Sequence, residues 1–237
     1  MKNAKKVNGY SIESIRKVVR LLTECAEMYA ARPLDDIKLC ISKGNRKIGR
    51  AMNVSLPPIL SCGNCKECQH FCYDIRACLQ YPNTVIDARI RNWTILNKNR
   101  DKYFSLIDEA CTRRRNNKMF RWHVSGEIVD IDYFCRMVEI ARKHPDFTFW
   151  TYTKMYAIVN EYCDKYGRES IPANFSVMFS EWRGVPMVNP YGFGEFRALY
   201  EGESIPKDAF YCPSNCDICK ANGRGCIVNE NTCIYIH

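Results

Sequence analysis

The chain has 237 residues, enough for one large domain or two small ones with a substantial core. Apolar residues make up 46% of it, which excludes a disordered chain, and no apolar run approaches the length of a membrane span. Residues 1–6 are polar and lack the apolar core of a signal peptide, so we expect a cytoplasmic, reduced protein with no membrane partner. The net charge of +9 permits nucleic acid as a partner but does not require it.

Hydrophobic periodicity predicts helices in the first half of the chain. Residues 11–31 repeat apolar side chains with a helical period, and Ser11 is available as the N-cap. The segments 37–41 and 46–52 flank Gly44-Asn45, which predicts an N-terminal hairpin. A strand is predicted over 53–56, followed by helices at about 70–80, 84–98 and 102–115, the last of them capped by Asp101.

Strands and helices alternate from residue 119 onward. Strands are predicted at 119–124, 147–152 and 175–179, with helices at 131–143 and about 154–166. This order is typical of βαβ units, so we expect an α/β fold: a partial (β/α) barrel or a mostly parallel sheet with flanking helices. No linker clearly divides the chain. We predict a core over 1–183, with a cysteine-rich C-terminal appendage over 184–237 packed on it.

Two dense groups of cysteines point to inorganic centres. Cysteines this close together cannot all form disulfides without strain, whereas thiolates at such spacing can converge on one metal or cluster. The predicted metal ligands are Cys62, Cys65, Cys68 and Cys72 in the first group and Cys212, Cys216, Cys219 and Cys226 in the second.

The spacing of the first group resembles that of ferredoxins, although Tyr73 stands where a proline usually follows. It favours a [4Fe–4S] cluster over zinc, because zinc sites more often use two pairs of cysteines separated by a longer spacer. The second group is compatible with an auxiliary [4Fe–4S] cluster or with zinc, since one isolated four-cysteine loop does not choose its metal. We therefore expect one or two clusters, with zinc as the alternative at the C-terminal site.

If only three cysteines of the first group bind a [4Fe–4S] cluster, one iron has no cysteine ligand. The most familiar role of such an iron is to chelate S-adenosylmethionine. Radical enzymes of this kind carry three cysteines after the first barrel strand, with an aromatic residue before the last, as Phe71 precedes Cys72. Their usual C-x3-C-x2-C spacing is not found in this loop. The next predicted strand ends in Ser125-Gly126-Glu127, similar to the Gly-Gly-Glu motif that holds the methionyl amino group, so these three are the candidate cofactor-binding residues.

Polar residues also end the following strands, where Lys154 and Glu181 are expected at the same edge of the sheet. Strand alternation places His123 on the opposite face from Trp122, as a buried and hydrogen-bonded histidine. The sequence assigns no catalytic residue. A glycine and an exposed glutamate at a strand end are an equally ordinary alternative to a cofactor site.

Several motifs, in sequence order, resemble the phage "gene product 88" family. They are Ser42-Lys-Gly-Asn45, Ser55-Leu-Pro-Pro58, Cys72-Tyr73, Arg89-x2-Asn92, the run from Phe120 to Glu127, and Tyr152-Thr-Lys154. The resemblance extends over about residues 40–220 and implies a phage or prophage origin. Members of this family look similar to radical S-adenosylmethionine proteins. The resemblance implies that Cys62, Cys68 and Cys72 are the cluster ligands and that Cys65 is an additional cysteine.

Two functions follow from these patterns. The first is an iron–sulfur protein of the radical S-adenosylmethionine type that generates a 5′-deoxyadenosyl radical on an unknown substrate, with an external electron donor. The alternative is a non-enzymatic protein that binds nucleic acid or a protein partner. Its iron–sulfur clusters or zinc ions would only stabilise the fold. Cys65 discriminates between them, because four thiolates would saturate the first centre and leave no open iron.

Overall fold

The fold is built on one parallel sheet, seen in a computed structural model that describes residues 9–63 and 67–236. The strands run in the order β1-β2-β3-β4-β5-β7-β6, and each neighbouring pair is parallel. The strands are β1 (Met52–Val54), β2 (Met119–Trp122), β3 (Thr148–Thr153), β4 (Phe175–Glu181), β5 (Gly194–Leu199), β6 (Phe210–Tyr211) and β7 (Thr232–Tyr235). The α/β class and the mostly parallel sheet predicted from the sequence are confirmed.

The helices are α1 (Ile12–Ala30), α2 (Tyr73–Gln80), α3 (Asp87–Lys98), α4 (Arg100–Arg113), α5 (Ile131–Lys143), α6 (Tyr156–Tyr166) and α7 (Cys216–Asn222). The helices α1 to α6 follow the predicted pattern closely, whereas α7 was not predicted. Ser11 caps α1 as expected, accepting a hydrogen bond from the Ser14 N–H. Throughout the described residues, every helix is too short or too polar to cross a lipid bilayer.

The main core lies between the sheet and the helices. Phe120, Trp122 and Phe149 of β2 and β3 are fully buried in the same cluster as side chains from α1 and from α3 to α6. Alternation along a strand sends the intervening side chains to the other face. One face of the sheet therefore packs against the helices, and the other face packs against a different part of the chain.

The second face of the sheet is covered by the C-terminal cysteine-rich segment. Met119 and Trp150 form a small buried cluster there with Ala51, and Cys216 and Ile227 pack against it. The segment after residue 184 also supplies β5, β6 and β7, and β5 pairs directly with β4. It contributes a covering layer and three strands of the sheet.

The predicted hairpin is reduced to a turn. Only the isolated pairs Ser42–Asn53 and Asn45–Gly49 are formed, and the segment 37–41 is not a strand. The Asn92 side chain takes the place of a pairing strand, since its Oδ1 accepts from the Cys40 N–H at 2.7 Å and its Nδ2 donates to the Cys40 carbonyl at 3.0 Å. The sequence pattern did not predict this contact, because Asn92 lies 52 residues beyond Cys40 in the chain.

The predicted cap of α4 is also wrong. The helix begins two residues earlier than expected, at Arg100, and its N-cap is Asn99, whose Oδ1 accepts from the Lys102 N–H at 2.8 Å. Asp101 lies in the first turn instead and pairs with Arg136. An acidic residue there complements the helix dipole, so the helix keeps a favourable charge at that end.

Candidate functional site

The first cysteine loop starts where β1 ends and lies over the carboxyl ends of the neighbouring strands. The Leu56 N–H donates to the Ser125 carbonyl at 2.9 Å, which continues the pairing beyond β1 and β2. Farther along, Gly63 lies against Met155, so closely that a β-carbon on Gly63 would come within 2.9 Å of Met155 Cε. The loop therefore spans the ends of β1, β2 and β3, where a parallel sheet binds its ligands.

Three of the four predicted first-loop ligands are described. Cys62 is half-buried, Cys68 is buried and Cys72 is the N-cap residue of α2. Burial, followed by the charges of Asp74 and Cys62, raises the pKa of the Cys72 thiol to about 12. Cys65 lies outside the described residues, so its predicted role stays a prediction.

The strand-end residues Glu127 and Lys154 come together beneath this loop. Glu127 is 2% exposed, and its Oε2 accepts from Thr153 Oγ at 2.8 Å while its Oε1 pairs with Lys154 Nζ at 3.0 Å. Burial lowers the pKa of the Lys154 ammonium, but Glu127 and the thiols of Cys68 and Cys62 raise it more, so the group stays charged. The sequence placed both residues at this edge, and the structure brings them into one ion pair.

Gly126 occupies a position that no other residue could fill without movement. Its φ is +87°, and a β-carbon there would lie 2.6 Å from Leu56 Cβ and 2.7 Å from Ser61 Oγ. Beside it, the hydroxyls of Ser55 and Ser125 are buried, and neither has a hydrogen-bond partner among the described residues. Unsatisfied buried polar groups are uncommon, and here they cluster at the ends of β1 and β2.

The loop also reaches the far strands of the sheet. Phe71, which precedes Cys72, stacks on Trp182 with ring centroids 6.3 Å apart and meets Tyr200 edge-on at 6.1 Å. Trp182 and Tyr200 line a cleft of about 400 Å³ at the carboxyl ends of β4 and β5, together with Glu181 and Arg197. Arg197 is neutralised by Glu181 and by two further carboxylates.

Sequence reasoning singled out Phe71 and Glu181 but missed Trp182, Tyr200 and Arg197. Trp182 directly follows the last residue of β4, so an aromatic residue at a strand end was the available signal. Tyr200 and Arg197 belong to or follow β5, a strand that the glycine-rich and proline-rich sequence after residue 184 did not predict.

The second cysteine group sits on the other face of the sheet. The Cys216 N–H donates to the Lys47 carbonyl at 3.2 Å, which docks the start of α7 on the turn before β1. The Cys212 N–H donates to the Cys233 carbonyl at 2.9 Å and extends the pairing of β6 with β7. These two backbone bonds fix the first part of the group, residues 212–216.

The thiols of this second group influence one another's pKa values. The pKa values of Cys216 and Cys219 are raised to about 11, chiefly by burial, and the Cys212 thiol contributes to both increases while Arg121 opposes that of Cys216. Burial raises the pKa of Cys226 to about 12, opposed by hydrogen bonds with Tyr152 and Thr232. These thiols are protonated at neutral pH, so metal binding would release protons.

The fourteen described cysteines form no disulfide. Among residues 9–63 and 67–236, no three His, Cys, Asp or Glu side chains are arranged so that they could hold a metal ion. Both ligand sets therefore stay predictions.

Comparison with known proteins assigns the chain to a family. The sequence model of the family described as Gene product 88 matches residues 36–183, more than half of the chain. The chain belongs to the Gene product 88 family. The phage resemblance predicted from the motifs is confirmed.

A curated relative of this family is the Gene 88 protein of Mycobacterium phage L5, which is 27% identical over 123 residues. The match covers 47% of this chain, and the chain spans about half the length of that relative. No solved structure is significantly similar to the chain. The Gene product 88 match contains β1 to β4 and the first cysteine loop, whereas the second cysteine group lies beyond it.

Two residues of the family motif Arg89-x2-Asn92 have structural roles. Arg89 forms a two-point hydrogen-bonded pair with the buried Asp74, at 3.0 and 3.2 Å, which joins α3 to α2. Asn92 ties Cys40 and the Ser55 carbonyl to α3. Both residues fix the segments on either side of the first cysteine loop.

Proposed function

We propose that this phage-family protein is an iron–sulfur protein whose first cluster is bound by Cys62, Cys68 and Cys72 at the carboxyl edge of the sheet. S-adenosylmethionine would bind beside it, at Ser125, Gly126 and Glu127. The observation that carries the proposal is the position of the loop. Its thiols lie within charge range of the Lys154 ammonium, which pairs with Glu127 at the ends of β2 and β3.

The residues at this edge fit such a group chemically. Soft thiols in a tight loop suit iron–sulfur clusters, and the Lys154 ammonium would offset part of the negative charge of a thiolate cluster. The buried hydroxyls of Ser55 and Ser125, which have no hydrogen-bond partner among the described residues, leave polar groups for a ligand, whereas the space beside Gly126 is filled by Leu56 and Ser61. Metal-free thiols with raised pKa values, such as that of Cys72, would load with release of protons.

The protein's own groups would bind and orient. Glu127, with each carboxylate oxygen already accepting from Thr153 or Lys154, holds the ends of β2 and β3 in register and keeps one negative charge at the edge. The cleft beside Trp182 and Tyr200 would accommodate the substrate, since Phe71 joins it to the cysteine loop. When bound, the cluster would pass an electron from an external donor to S-adenosylmethionine, whose cleavage yields the 5′-deoxyadenosyl radical.

A second function is favoured by one specific observation. The Glu127 carboxylate is almost fully buried and already engaged, so it could be a structural tie and not a cofactor ligand. In that case both cysteine groups would be structural, holding iron–sulfur clusters or zinc. The surplus of positive charge would then serve a nucleic-acid or protein partner.

Anaerobic purification separates the two functions. The proposal expects a brown protein, with about four irons per occupied cubane, whose reduced EPR spectrum changes when S-adenosylmethionine is added. Cys68→Ser should remove the signal of the first cluster and the response to the cofactor. Cys25→Ser, which changes a half-buried cysteine of α1, should leave both unchanged.

Cys65→Ser tests whether an iron is open. The proposal expects this variant to keep its iron and its response to S-adenosylmethionine. Colourless protein with stoichiometric zinc would exclude the iron–sulfur proposal. Brown protein that ignores the cofactor, and that loses iron on Cys65→Ser, would favour the structural alternative.

A further inference from the structure

The cleft at the carboxyl ends of β4 and β5 carries more carboxylates than cations. Its charged lining residues are Glu181, Arg183, Glu195, Arg197 and Glu203, three carboxylates and two guanidinium groups. The chain as a whole has a net charge of +9, so the sign of the charge in this cleft is opposite to that of the molecule. A ligand group with one positive charge would neutralise the lining.

The surplus of negative charge is concentrated around Arg197. Its guanidinium nitrogens lie 3.1 Å from a carboxylate oxygen of Glu181, 2.8 Å from one of Glu195 and 3.0 Å from one of Asp208. A single carboxylate neutralises an arginine, and like charges that are held close together repel one another. A further cation would relieve this repulsion.

Glu181 is the carboxylate of this group that both lines the cleft and is well exposed. It is the last residue of β4, and its side chain is 49% exposed, compared with 21% for Glu195. Within the described residues, Arg197 engages its Oε2, and its Oε1 accepts no hydrogen bond. The Oε1 atom can therefore accept a hydrogen bond from a ligand in the cleft.

Two aromatic rings line the same cleft, which has a volume of about 400 Å³. Trp182 directly follows Glu181, and Tyr200 directly follows β5. A guanidinium of the protein already lies over the Tyr200 ring, since Arg183 Cζ is 4.0 Å from the ring centroid and Arg183 also pairs with Glu203. Cations are attracted to the faces of aromatic rings, most strongly to that of tryptophan. The cleft thus contains one ring and carboxylate that hold a guanidinium, and a second such pair in Trp182 and Glu181.

We propose that the cleft binds a guanidinium group of the substrate, with Glu181 accepting from its N–H groups and Trp182 supplying the ring on which it stacks. A planar guanidinium matches the two-oxygen geometry of a carboxylate and stacks on aromatic rings, whereas an ammonium is a compact point charge. That the bound molecule is the substrate rests on the proposed function. The binding itself involves no residue of either cysteine group.

A purely structural ion-pair network is the competing explanation. The three carboxylates could serve only to fix Arg197, and with it the position of β5 relative to β4 and to the segment before β6. In that case an added guanidinium compound would bind no better than an uncharged molecule of the same shape.

The test measures the binding of small arginine derivatives to the intact protein by ligand-observed nuclear magnetic resonance at low ionic strength. N-acetylarginine methylamide should bind saturably and about tenfold or more tightly than N-acetylcitrulline methylamide, which has the same shape without the charge. N-acetyllysine methylamide should bind with an intermediate affinity. Agmatine and a short arginine-containing peptide, run in parallel, distinguish a free guanidine from an arginine residue as the natural ligand, and binding of either supports the site.

Variants locate the binding. Glu181→Gln keeps the size of the side chain and should weaken binding of the arginine derivative by about tenfold. Arg197 remains paired with Glu195 and Asp208 in this variant, so we expect the fold to be retained. Glu161→Gln removes the same charge from the exposed surface of α6 and should leave binding unchanged.

Trp182→Leu tests the ring separately from the charge. It should weaken binding severalfold, and Trp182→Phe should weaken it less, because an aromatic face remains. Three outcomes would overturn the proposal: no preference for the arginine over the citrulline derivative, equal losses in Glu161→Gln and Glu181→Gln, or full binding in Glu181→Gln or in folded Trp182→Leu.

This measurement uses neither iron nor S-adenosylmethionine, so its result is independent of the test of the proposed function. A brown protein that responds to S-adenosylmethionine but binds no guanidinium would overturn this inference alone. A zinc protein that binds the arginine derivative through Glu181 and Trp182 would support the guanidinium site and exclude only the radical reaction.

Discussion

His123 is the residue whose environment departs most from its strand pattern. Its φ of +53° breaks the alternation, so its ring packs beside Trp122 on the helical face and not opposite it as predicted. Its Nε2 is 2.8 Å from the Tyr133 hydroxyl, which in turn is 3.0 Å from the Tyr103 hydroxyl. Its Nδ1 is buried and has no partner in residues 9–63 and 67–236, so only half of the expected hydrogen bonding is present there.

This environment makes stability depend on pH. Burial first, and then the charge of Arg121, lowers the pKa of His123 to about 3, whereas a histidine in an unfolded chain titrates near 6.5. Below about pH 6.5 the unfolded state binds a proton that the folded state does not. The contribution of His123 is therefore complete above pH 6.5 and is lost as the pH falls toward 3, by about 1.4 kcal/mol per pH unit.

We predict that His123→Asn flattens this dependence. Asparagine tolerates a positive φ but does not titrate, so the backbone is kept and the proton linkage is removed. Urea unfolding at pH 7 and pH 5 should show that the wild type loses about 2 kcal/mol more than the variant between these values. Equal losses would mean that His123 is not the buried neutral group described above.

At the scale of single residues, the strand-end motif was the most predictable part of the site. Gly126 and Glu127 follow β2 as expected, because hydrophobic alternation located the strand and the loop after it. The burial of Glu127 was not predictable, since its partners Thr153 and Lys154 come from the next strand. Thr153 and Lys154 lie 26 and 27 positions after Glu127, so no local sequence pattern predicts that they pair with it.

Helix α2 is the element that positions the first cysteine loop. Cys72 is its N-cap, and Asp74 in its first turn is paired with Arg89 of α3. The two side chains are 1% and 14% exposed, respectively, so the pair is largely shielded from water. Removing one partner of a buried pair leaves the other charge without compensation.

We predict that Asp74→Ala lowers the free energy of unfolding by about 3 kcal/mol or more, because Arg89 stays buried and charged. The matched control is Glu24→Ala, which breaks the exposed pair Arg20–Glu24 of α1 and should cost less than about 1 kcal/mol. Chemical denaturation of the three proteins measures both changes. Similar values for the two variants would show that the Asp74–Arg89 pair does not anchor α2.

Elements with strong local signals were predicted well, and those that depend on distant partners were not. The prediction for α5 matches its observed bounds, Ile131–Lys143, because an amphipathic period and the Asp130 cap define it locally. The hairpin before β1 failed because Asn92, from α3, satisfies the backbone that a second strand would have paired. Strands β5 to β7 are short and lie among glycines and prolines, so periodicity did not identify them.

At the scale of the whole molecule, the C-terminal segment completes the sheet that the rest of the chain begins. Strand β5 pairs with β4, and residues of the second cysteine group cover Trp150 on the open face. The Ser176 hydroxyl of β4 also donates to the Cys226 carbonyl at 2.5 Å. An exposed long strand with a bare apolar face is a site of aggregation, so these contacts protect β4.

We predict that the full-length chain unfolds in a single calorimetric transition and that a fragment of residues 1–183 does not fold stably. The fragment would leave one edge of β4 unpaired and would expose Trp150, which is fully buried in the intact protein. Low soluble yield, weak near-ultraviolet circular dichroism and a red-shifted tryptophan emission are the expected results for the fragment. If residues 1–183 instead gave a soluble protein with a cooperative transition, the division at residue 183 would mark a core that folds by itself. The covering role assigned to the C-terminal segment would then be secondary, because β4 and Trp150 would be stable without it.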